Sequence, residues 1–215
     1  MIAVENVIKE YHAYRGKRRV LDNISFSVTK GERIAIFGRN GSGKSTLIKI
    51  IGGVLWPNSG RVVRRMSVSW PLGYGGAFQS SLTGFDNMRF IARIYNADFD
   101  AMHEFVDDFA ELGVQLRMPL KTYSSGMRAR LAFALSLAID FDCYLIDEVM
   151  AAGDQRFHQK CQDQLFGGKE DRSFIIATHD MEAARQTCSS AMVLQNGRAT
   201  RYADIDEAIG VYAAL

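Results

Sequence analysis

The nine residues "GRNGSGKST", Gly38 to Thr46, fit the pattern G-x-x-x-x-G-K-[ST]. They follow the apolar run "RIAIF" and open the helical pattern "KSTLIKIIGGVL". A strand, a glycine-rich loop and a helix in this order form the context that a phosphate-binding loop requires. Glycines let successive backbone N–H groups face a phosphate, and the helix N-terminus adds a favourable field for the anion. The segment therefore predicts a nucleotide phosphate site.

Two side chains of this loop have individual predicted roles. We expect Lys44 to reach the β- and γ-phosphates and Ser45 to offer its hydroxyl group to Mg²⁺. The alternative, a glycine-rich turn with an unrelated lysine, does not explain the strand and helix on either side. The residues expected to bind nucleotide here are Gly38, Asn40, Gly41, Ser42, Gly43, Lys44, Ser45 and Thr46.

A second apolar run, "CYLIDE", ends in the carboxylates of Asp147 and Glu148. A carboxylate at the carboxyl end of a buried strand would lie beside the phosphate loop in a parallel sheet. We expect Asp147 to hold Mg²⁺ and Glu148 to act as the general base on the attacking water. A helix-capping role is the alternative for such a pair. No N-K-x-D guanine-reading motif is present, which argues against a GTPase.

The stretch "FIIATHD" contains a third apolar run, which ends with His179. If the three strands are neighbours, Gly38, Asp147 and His179 meet at one edge of the sheet. His179 could then contact the γ-phosphate and hold the water. The alternative is a structural histidine whose hydrogen bonds are satisfied at a strand end.

Composition narrows the class of protein. The chain has 215 residues, 47% of them hydrophobic, and a formal net charge of +2, which gives no electrostatic argument for nucleic acid or an anionic membrane. We interpret the basic cluster of Arg15 and Lys17 to Arg19 as a solvated hairpin turn. Three widely spaced cysteines predict neither a disulfide framework nor a zinc site and fit a reduced, cytosolic setting.

The sequence has neither the pattern of a signal peptide nor an apolar segment long enough to span a membrane. The N-terminus does not have the pattern of a signal peptide. The longest apolar segment, Leu131 to Ile139, is about half of the roughly 20 residues that a spanning helix needs. We expect that the chain does not span a membrane by itself.

Strand and helix patterns alternate along the chain, which predicts an α/β fold with a mostly parallel sheet. The N-terminal residues read as short strands, and the middle of the chain carries helical patterns such as "DAMHEFVDDFAELG". We expect one domain over residues 1–215, with an α/β core from 1–83 and 140–215 and an inserted helical lobe over about 84–139.

These motifs, in this order, resemble the nucleotide-binding subunit of an ABC transporter over essentially the whole chain. The resemblance implies a P-loop core with N-terminal antiparallel strands and an inserted helical lobe. It also implies a Q-loop glutamine at Gln79 that senses Mg²⁺ and the γ-phosphate, and a D-loop aspartate at Asp154 that contacts the opposite subunit. Tyr11 lies where the family places an aromatic residue on adenine, with Tyr14 as the rival.

The family signature L-S-G-G-Q corresponds to "YSSGM", Tyr123 to Met127, in which Ser124 and Gly126 match and Tyr123, Ser125 and Met127 depart. Together with "SWPLGYGGAFQSSLTG" and "DEVMAAGD", this variant is similar to the ATPases of bacterial capsular-polysaccharide exporters and, less closely, to those that export O-antigen. The latter generally carry an additional carbohydrate-binding domain, for which a chain ending at Leu215 has no room.

The resemblance further implies a mechanism. Two copies would pack head to tail, so that Ser124, Ser125 and Gly126 of one subunit face ATP and Mg²⁺ held by the other. The homodimer would drive separately encoded membrane permease subunits from the cytoplasmic face of the bacterial inner membrane, with no nucleic acid involved. Phe85 and Met88 are candidates for the permease contact. The alternatives are an O-antigen exporter, a soluble ABC-type ATPase without a membrane partner, and a scaffold that binds ATP without turnover.

Overall fold

The computed structural model describes residues 1–14, 16–147, 155–167 and 171–215. The chain forms two compact units. The α/β unit contains the described residues within Met1–Pro71, Phe141–Glu148 and Asp171–Leu215, and the helical unit contains those within Leu72–Asp140 and Val149–Glu170.

A six-stranded sheet forms the centre of the α/β unit. Its order is β5-β6-β7-β3-β8-β9, and every pair is parallel except β8 with β9. The central strands are buried along nearly their whole length, as expected for continuous apolar runs covered on both faces. The strands are β3 (Arg33–Phe37), β5 (Val68–Pro71), β6 (Cys143–Asp147), β7 (Ser173–Ala177), β8 (Ser190–Gln195) and β9 (Arg198–Tyr202).

A three-stranded antiparallel sheet of order β2-β1-β4 lies in the same unit. Along β1, the side chains of Ile2, Val4 and Val7 are buried and belong to the same core cluster as those of β3 and β6. The N-terminal strands therefore share one core with the parallel sheet. Their bounds are β1 (Ile2–Ala13), β2 (Gly16–Val28) and β4 (Ser59–Arg64).

Three helices complete the α/β unit. The first begins directly after the glycine-rich loop and ends at Ile51, with Gly52 as its C-cap residue, and its Leu47 and Ile48 side chains are completely buried in the core. The bounds are α1 (Lys44–Ile51), α6 (Met181–Thr187) and α7 (Ile205–Ala213).

The helical unit is held together by aromatic side chains. Phe109, Phe133 and Phe157, from three different helices, pack with ring centroids 5.5 to 6.3 Å apart. The helices are α2 (Gly84–Tyr95), α3 (Phe99–Ala110), α4 (Ser125–Ala138) and α5 (Gln155–Phe166), with short 3₁₀ turns at Gly75–Ala77, Gly113–Arg117 and Leu120–Thr122.

The loop before α2 packs with the helical unit. The side chain of the buried Asn87 accepts a hydrogen bond from the N–H of Gln79 and donates to the carbonyl oxygens of Gln79 and Thr83. Further along, the N–H of Lys121 donates to the carbonyl oxygen of Ser80. These bonds attach the loop to the helical unit, which begins at Leu72, whereas the helical lobe in the prediction begins at about 84.

The predicted fold class is confirmed: a mostly parallel sheet, antiparallel N-terminal strands and a helical segment inserted into the sequence of the α/β core. The short edge strand β5 lacked a clear apolar run and was not predicted. No helix within the described parts of the chain has the length and apolarity needed to cross a membrane.

All three cysteines are free and buried. Burial raises the pKa of the thiols of Cys143 and Cys161 to about 12 and that of Cys188 to about 11. They behave as small apolar core residues, since a thiolate is strongly disfavoured at these positions.

Two valines of the helical unit test its core. Val106 is 0% exposed, and Val114 is 79% exposed. Because each buried CH₂ group contributes about 0.8 kcal/mol, we expect Val106→Ala to lower the free energy of unfolding by about 2 kcal/mol and Val114→Ala to leave it nearly unchanged. Urea denaturation followed by circular dichroism measures both. Equal effects of the two substitutions would contradict this packing.

Candidate functional site

Glycines are required in the loop between β3 and α1 because neighbouring strands approach it closely. A Cβ atom on Gly38 would lie 2.5 Å from the carbonyl oxygen of Leu194. Gly43 has φ +111°, and a Cβ atom there would lie 2.9 Å from Cγ1 of Val20. Both contacts are closer than real Cβ atoms make, so a side chain at either position would require its neighbours to shift.

Lys44 and Ser45 begin α1 at the end of this loop. The Lys44 side chain is only 6% exposed, and its Nζ donates a hydrogen bond of 2.7 Å to the carbonyl oxygen of Gly38. This bond holds the ammonium group across the loop. Ser45 is exposed, and its Oγ donates a hydrogen bond of 2.8 Å to Oδ1 of Asp147. Residues 102 positions apart therefore meet at one point.

The register of the sheet explains this meeting. Ala177 of β7 is paired with Asp147 of β6 on one side and with Ile36 of β3 on the other. Three parallel strands therefore end at the same level. His179 follows β7 two residues later, is exposed, and precedes Asp180, the N-cap residue of α6. The strand ends that carry Gly38, Asp147 and His179 lie at one edge of the sheet, as predicted.

The loop residues fit a phosphate-bearing ligand. The Ser42 hydroxyl oxygen is buried and has no hydrogen-bond partner among the described residues. A buried hydroxyl group without a partner is costly, and a phosphate oxygen would supply one. The loop also provides a cationic side chain, Lys44, and a helix N-terminus.

The residues also fit Mg²⁺. The described residues contain no group of three or more His, Cys, Asp or Glu side chains that could hold a metal ion. Mg²⁺ bound with a nucleotide commonly takes one or two carboxylates together with phosphate and water oxygens. The hydroxyl oxygen of Ser45 and the carboxylate of Asp147 are protein oxygens of this kind.

Tyr11 lies beside the same loop. It is 41% exposed, and its hydroxyl oxygen lies 3.4 Å from Oγ1 of Thr46. Nζ of Lys9 is 5.4 Å from the centre of the Tyr11 ring and donates a hydrogen bond to the carbonyl oxygen of Trp56. The rival Tyr14 is fully exposed at the hairpin turn. The contact with Thr46 favours Tyr11 as the ring that meets a base.

Lys9 was not singled out from the sequence. Its spacing of two residues from Tyr11 could have indicated that the two side chains are neighbours, because alternate residues of a strand project from one face. By stacking its ammonium group on the ring and bonding to Trp56, Lys9 restrains Tyr11.

Several other predicted site residues belong to the helical unit. Gln79 is exposed and is held by its backbone bonds to Asn87. Ser124 is the N-cap residue of α4 and accepts a hydrogen bond of 3.2 Å from the N–H of Met127. Ser125, the first residue of the helix, is exposed, and Gly126 is half-buried. Glu148 and Asp154 lie outside the described residues.

One guess about the permease contact is wrong. Met88 is 0% exposed and packs inside the helical unit. Phe85 is half-buried, with its ring 5.0 Å from that of Phe99 and under the guanidinium of Arg89. The large apolar side chains that α2 exposes are instead Phe90, Ile94 and Tyr95, which are 53%, 56% and 41% exposed.

Known proteins resemble this chain along its whole length. It is 55% identical over 215 residues, 100% of both chains, to the capsule polysaccharide export ATP-binding protein CtrD of Neisseria meningitidis serogroup B. It is 54% identical to the ATP-binding protein BexA of Haemophilus influenzae, covering 99% of this chain and 98% of the relative. It is 45% identical to the polysialic acid transport ATP-binding protein KpsT of Escherichia coli, with coverage of 99% and 98%.

Solved structures share the fold. The dimeric ATP-binding cassette MJ0796, bound to ADP and Pi in a post-hydrolysis state, matches with a TM-score of 0.73 and 22% identity, over 94% of this chain and 98% of that one. An ATP-binding subunit of an ABC transporter matches with a TM-score of 0.74 and 21% identity, over 99% and 94%. The family model described as ABC transporter matches residues 21–151. The chain therefore belongs to the ABC transporter family.

Proposed function

We propose that the chain is the ATP-hydrolysing subunit of an ABC exporter that moves capsular polysaccharide across the bacterial inner membrane. The observation that carries the ATPase assignment is the 2.8 Å hydrogen bond between Ser45 and Asp147. It joins the phosphate loop to the carboxylate of a second strand, which is the pairing that nucleotide hydrolysis with a divalent cation uses.

In this proposal, ATP lies with its phosphates in the loop and its base on Tyr11. Backbone N–H groups of the loop and the Lys44 ammonium group neutralise the phosphates. Lys44 exchanges its bond to the Gly38 carbonyl oxygen for phosphate oxygens, and Ser42 gains its missing partner. The residues assigned to the nucleotide are Tyr11, Gly38, Asn40, Gly41, Ser42, Gly43, Lys44, Ser45 and Thr46.

The metal site would be formed by Ser45, Asp147 and Gln79. Mg²⁺ bound there supplies positive charge next to the phosphate oxygens. Ser45 and Asp147 bond to each other directly, so both oxygens already point to one place before a cation binds. Little reorganisation of the α/β unit is therefore needed.

Hydrolysis requires a base and an oriented water molecule. Glu148 follows Asp147 directly in the sequence and would accept the proton of the attacking water. His179, after the neighbouring strand, would hold the water and the γ-phosphate. The water oxygen bonds to the γ-phosphorus, the bond to the β–γ bridging oxygen breaks, and ADP and inorganic phosphate leave.

The helical unit would complete the site of a second copy. Ser124, Ser125 and Gly126 lie at the N-terminus of α4, where unpaired N–H groups and the helix dipole favour an anion. The Ser124 hydroxyl group is already bonded as the helix cap, whereas Ser125 is exposed. A head-to-tail homodimer would place these groups on the partner's γ-phosphate, with Asp154 also at the contact. The dimeric state described for MJ0796 supports the proposal of a dimer.

The cargo assignment depends on relatives and on the signature "YSSGM". Two relatives covering the whole chain are described as acting in capsule polysaccharide export and polysialic acid transport. We therefore propose capsular polysaccharide as cargo, separately encoded permease subunits as partners, and the cytoplasmic face of the inner membrane as location. An O-antigen or other polysaccharide exporter is the alternative.

Lys44→Ala tests the phosphate loop. A charge-assisted hydrogen bond contributes about 1.5–3 kcal/mol, so we expect ATP affinity to fall at least about tenfold. Titration calorimetry with the purified chain measures the affinity. Lys30→Ala, which removes an exposed lysine of the same unit, is the matched control and should bind ATP normally. Unchanged affinity in Lys44→Ala would contradict the assignment.

Glu148→Gln tests the base. The amide keeps the shape of the side chain but cannot accept the proton, so phosphate release should fall about 10²–10⁴-fold while ATP binding persists. Size-exclusion chromatography with ATP should show a stable dimer, because the step that reopens it is blocked. Glu104→Gln, an exposed position on α3, is the control. Hydrolysis at the unaltered rate in Glu148→Gln would reject this role.

Transport is tested in a capsulated bacterium that lacks its own capsule-export ATPase. The unaltered chain should restore surface polysaccharide, whereas Glu148→Gln should leave the polymer inside the cell at equal protein abundance. Immunostaining of intact and permeabilised cells measures the distribution. If the chain instead restores export in a strain that lacks an O-antigen ATPase and not in the capsule strain, the alternative cargo is correct.

A further inference from the structure

The basic residues after the β1–β2 turn project from two faces of the hairpin. Nζ of Lys17 lies 3.9 Å from a carboxylate oxygen of Glu10, and Nε of Arg19 lies 3.0 Å from the other. Arg19 also pairs with Asp22 at 2.8 Å. The side chain of Arg18, between them, makes no ion pair or hydrogen bond with any described residue, although its backbone belongs to the β1–β2 ladder.

Arg18 projects toward the phosphate loop. It is paired across the hairpin with Tyr11, and residues directly opposite in antiparallel strands share a face. Its guanidinium Nη2 lies 3.9 Å from the position that a Cβ atom on Gly41 would occupy. The next part of β2 follows the same course, since Val20 contacts the loop at Gly43. The hairpin thus carries an aromatic ring and a guanidinium group along one side of the loop.

We propose that Arg18 is a nucleotide-binding residue that contacts the phosphate chain of ATP from the hairpin side of the loop. A guanidinium group presents planar, paired donors that match phosphate oxygens. Gly41 has φ +78° and no side chain, so nothing at this position stands between Arg18 and the loop. This inference rests on the proposed binding of ATP and assigns a further residue to it.

Arg18 differs from Lys44 in the strength of its contribution. Lys44 is buried, whereas Arg18 is exposed, so water and salt screen its attraction to phosphate. We expect Arg18→Gln to weaken ATP binding roughly three- to tenfold at low salt, with a smaller effect as salt is raised. Arg18→Lys should recover part of the loss, because it keeps the charge but not the paired donors.

Calorimetric titration of the full chain with ATP, ADP, AMP and adenosine tests this inference. The loss in Arg18→Gln should increase with the number of phosphates and vanish for adenosine. Lys17→Gln removes the same charge from the adjacent residue on the opposite face, and it should bind all four ligands like the unaltered chain. Thermal unfolding confirms that both variants fold.

Three outcomes would overturn the inference. In the first, Arg18→Gln and Lys17→Gln bind ATP equally well, while the unaltered chain binds ATP normally and Lys44→Ala loses affinity. This result would reject the role of Arg18 and leave the proposed function standing. An equal loss for adenosine and ATP would assign Arg18 to the nucleoside and reject the phosphate contact. Failure of the unaltered chain to bind ATP would reject this inference together with the proposed function.

Discussion

The parallel register of β3, β7 and β6 is the constraint on which the site depends. Because Ala177 pairs with both Ile36 and Asp147, the three strands end at one level and their following residues emerge at one edge. The hydrogen bond from Ser45 to Asp147 is a direct consequence. A shift of one residue in either pair would turn the side chains to the other face and move the carboxylate away from the loop.

The glycine-rich loop is shaped by its surroundings as well as by its own sequence. The Leu194 carbonyl group of β8 excludes a side chain at Gly38, and Val20 of β2 excludes one at Gly43. The antiparallel sheet thus does more than extend the core. It closes one side of the loop and places Tyr11 within 3.4 Å of Thr46. The hairpin therefore brings the Tyr11 ring and the glycine-rich loop together within the α/β unit.

Several polar groups named above are hydrogen-bond donors positioned to bind an anion. The Lys44 ammonium group is held by a carbonyl oxygen, and the Ser42 hydroxyl group is buried without a partner among the described residues. At the start of α4, Ser124 is used for capping, and Ser125 is left exposed. Each arrangement leaves donor groups that an incoming phosphate oxygen can satisfy, which is the electrostatic preorganisation that phosphoryl transfer requires.

The amino-acid sequence determined the elements that depend on local pattern. The phosphate loop, the apolar strands that end in Asp147 and precede His179, and the helical middle of the chain could all be predicted, because glycine spacing and apolar periodicity are local properties. The edge strand β5, the bonds of Asn87 that assign the loop at Gln79 to the helical unit, and the burial of Met88 could not. Strand β5 depends on its pairing with the distant strand β6, and the bonds of Asn87 depend on the course of the loop that leads into α2.

The basic cluster at Lys17 to Arg19 shows the same limit most clearly. Its charges were evident from the sequence, but only strand pairing decided which of them meet Glu10 and which faces the phosphate loop. Residue type determines what a side chain can bind, and the register of the strands determines what it is near. The sequence by itself therefore determined which reactive and charged side chains this protein has. The tertiary structure decided which of them lie close together, because strand pairing sets their neighbours.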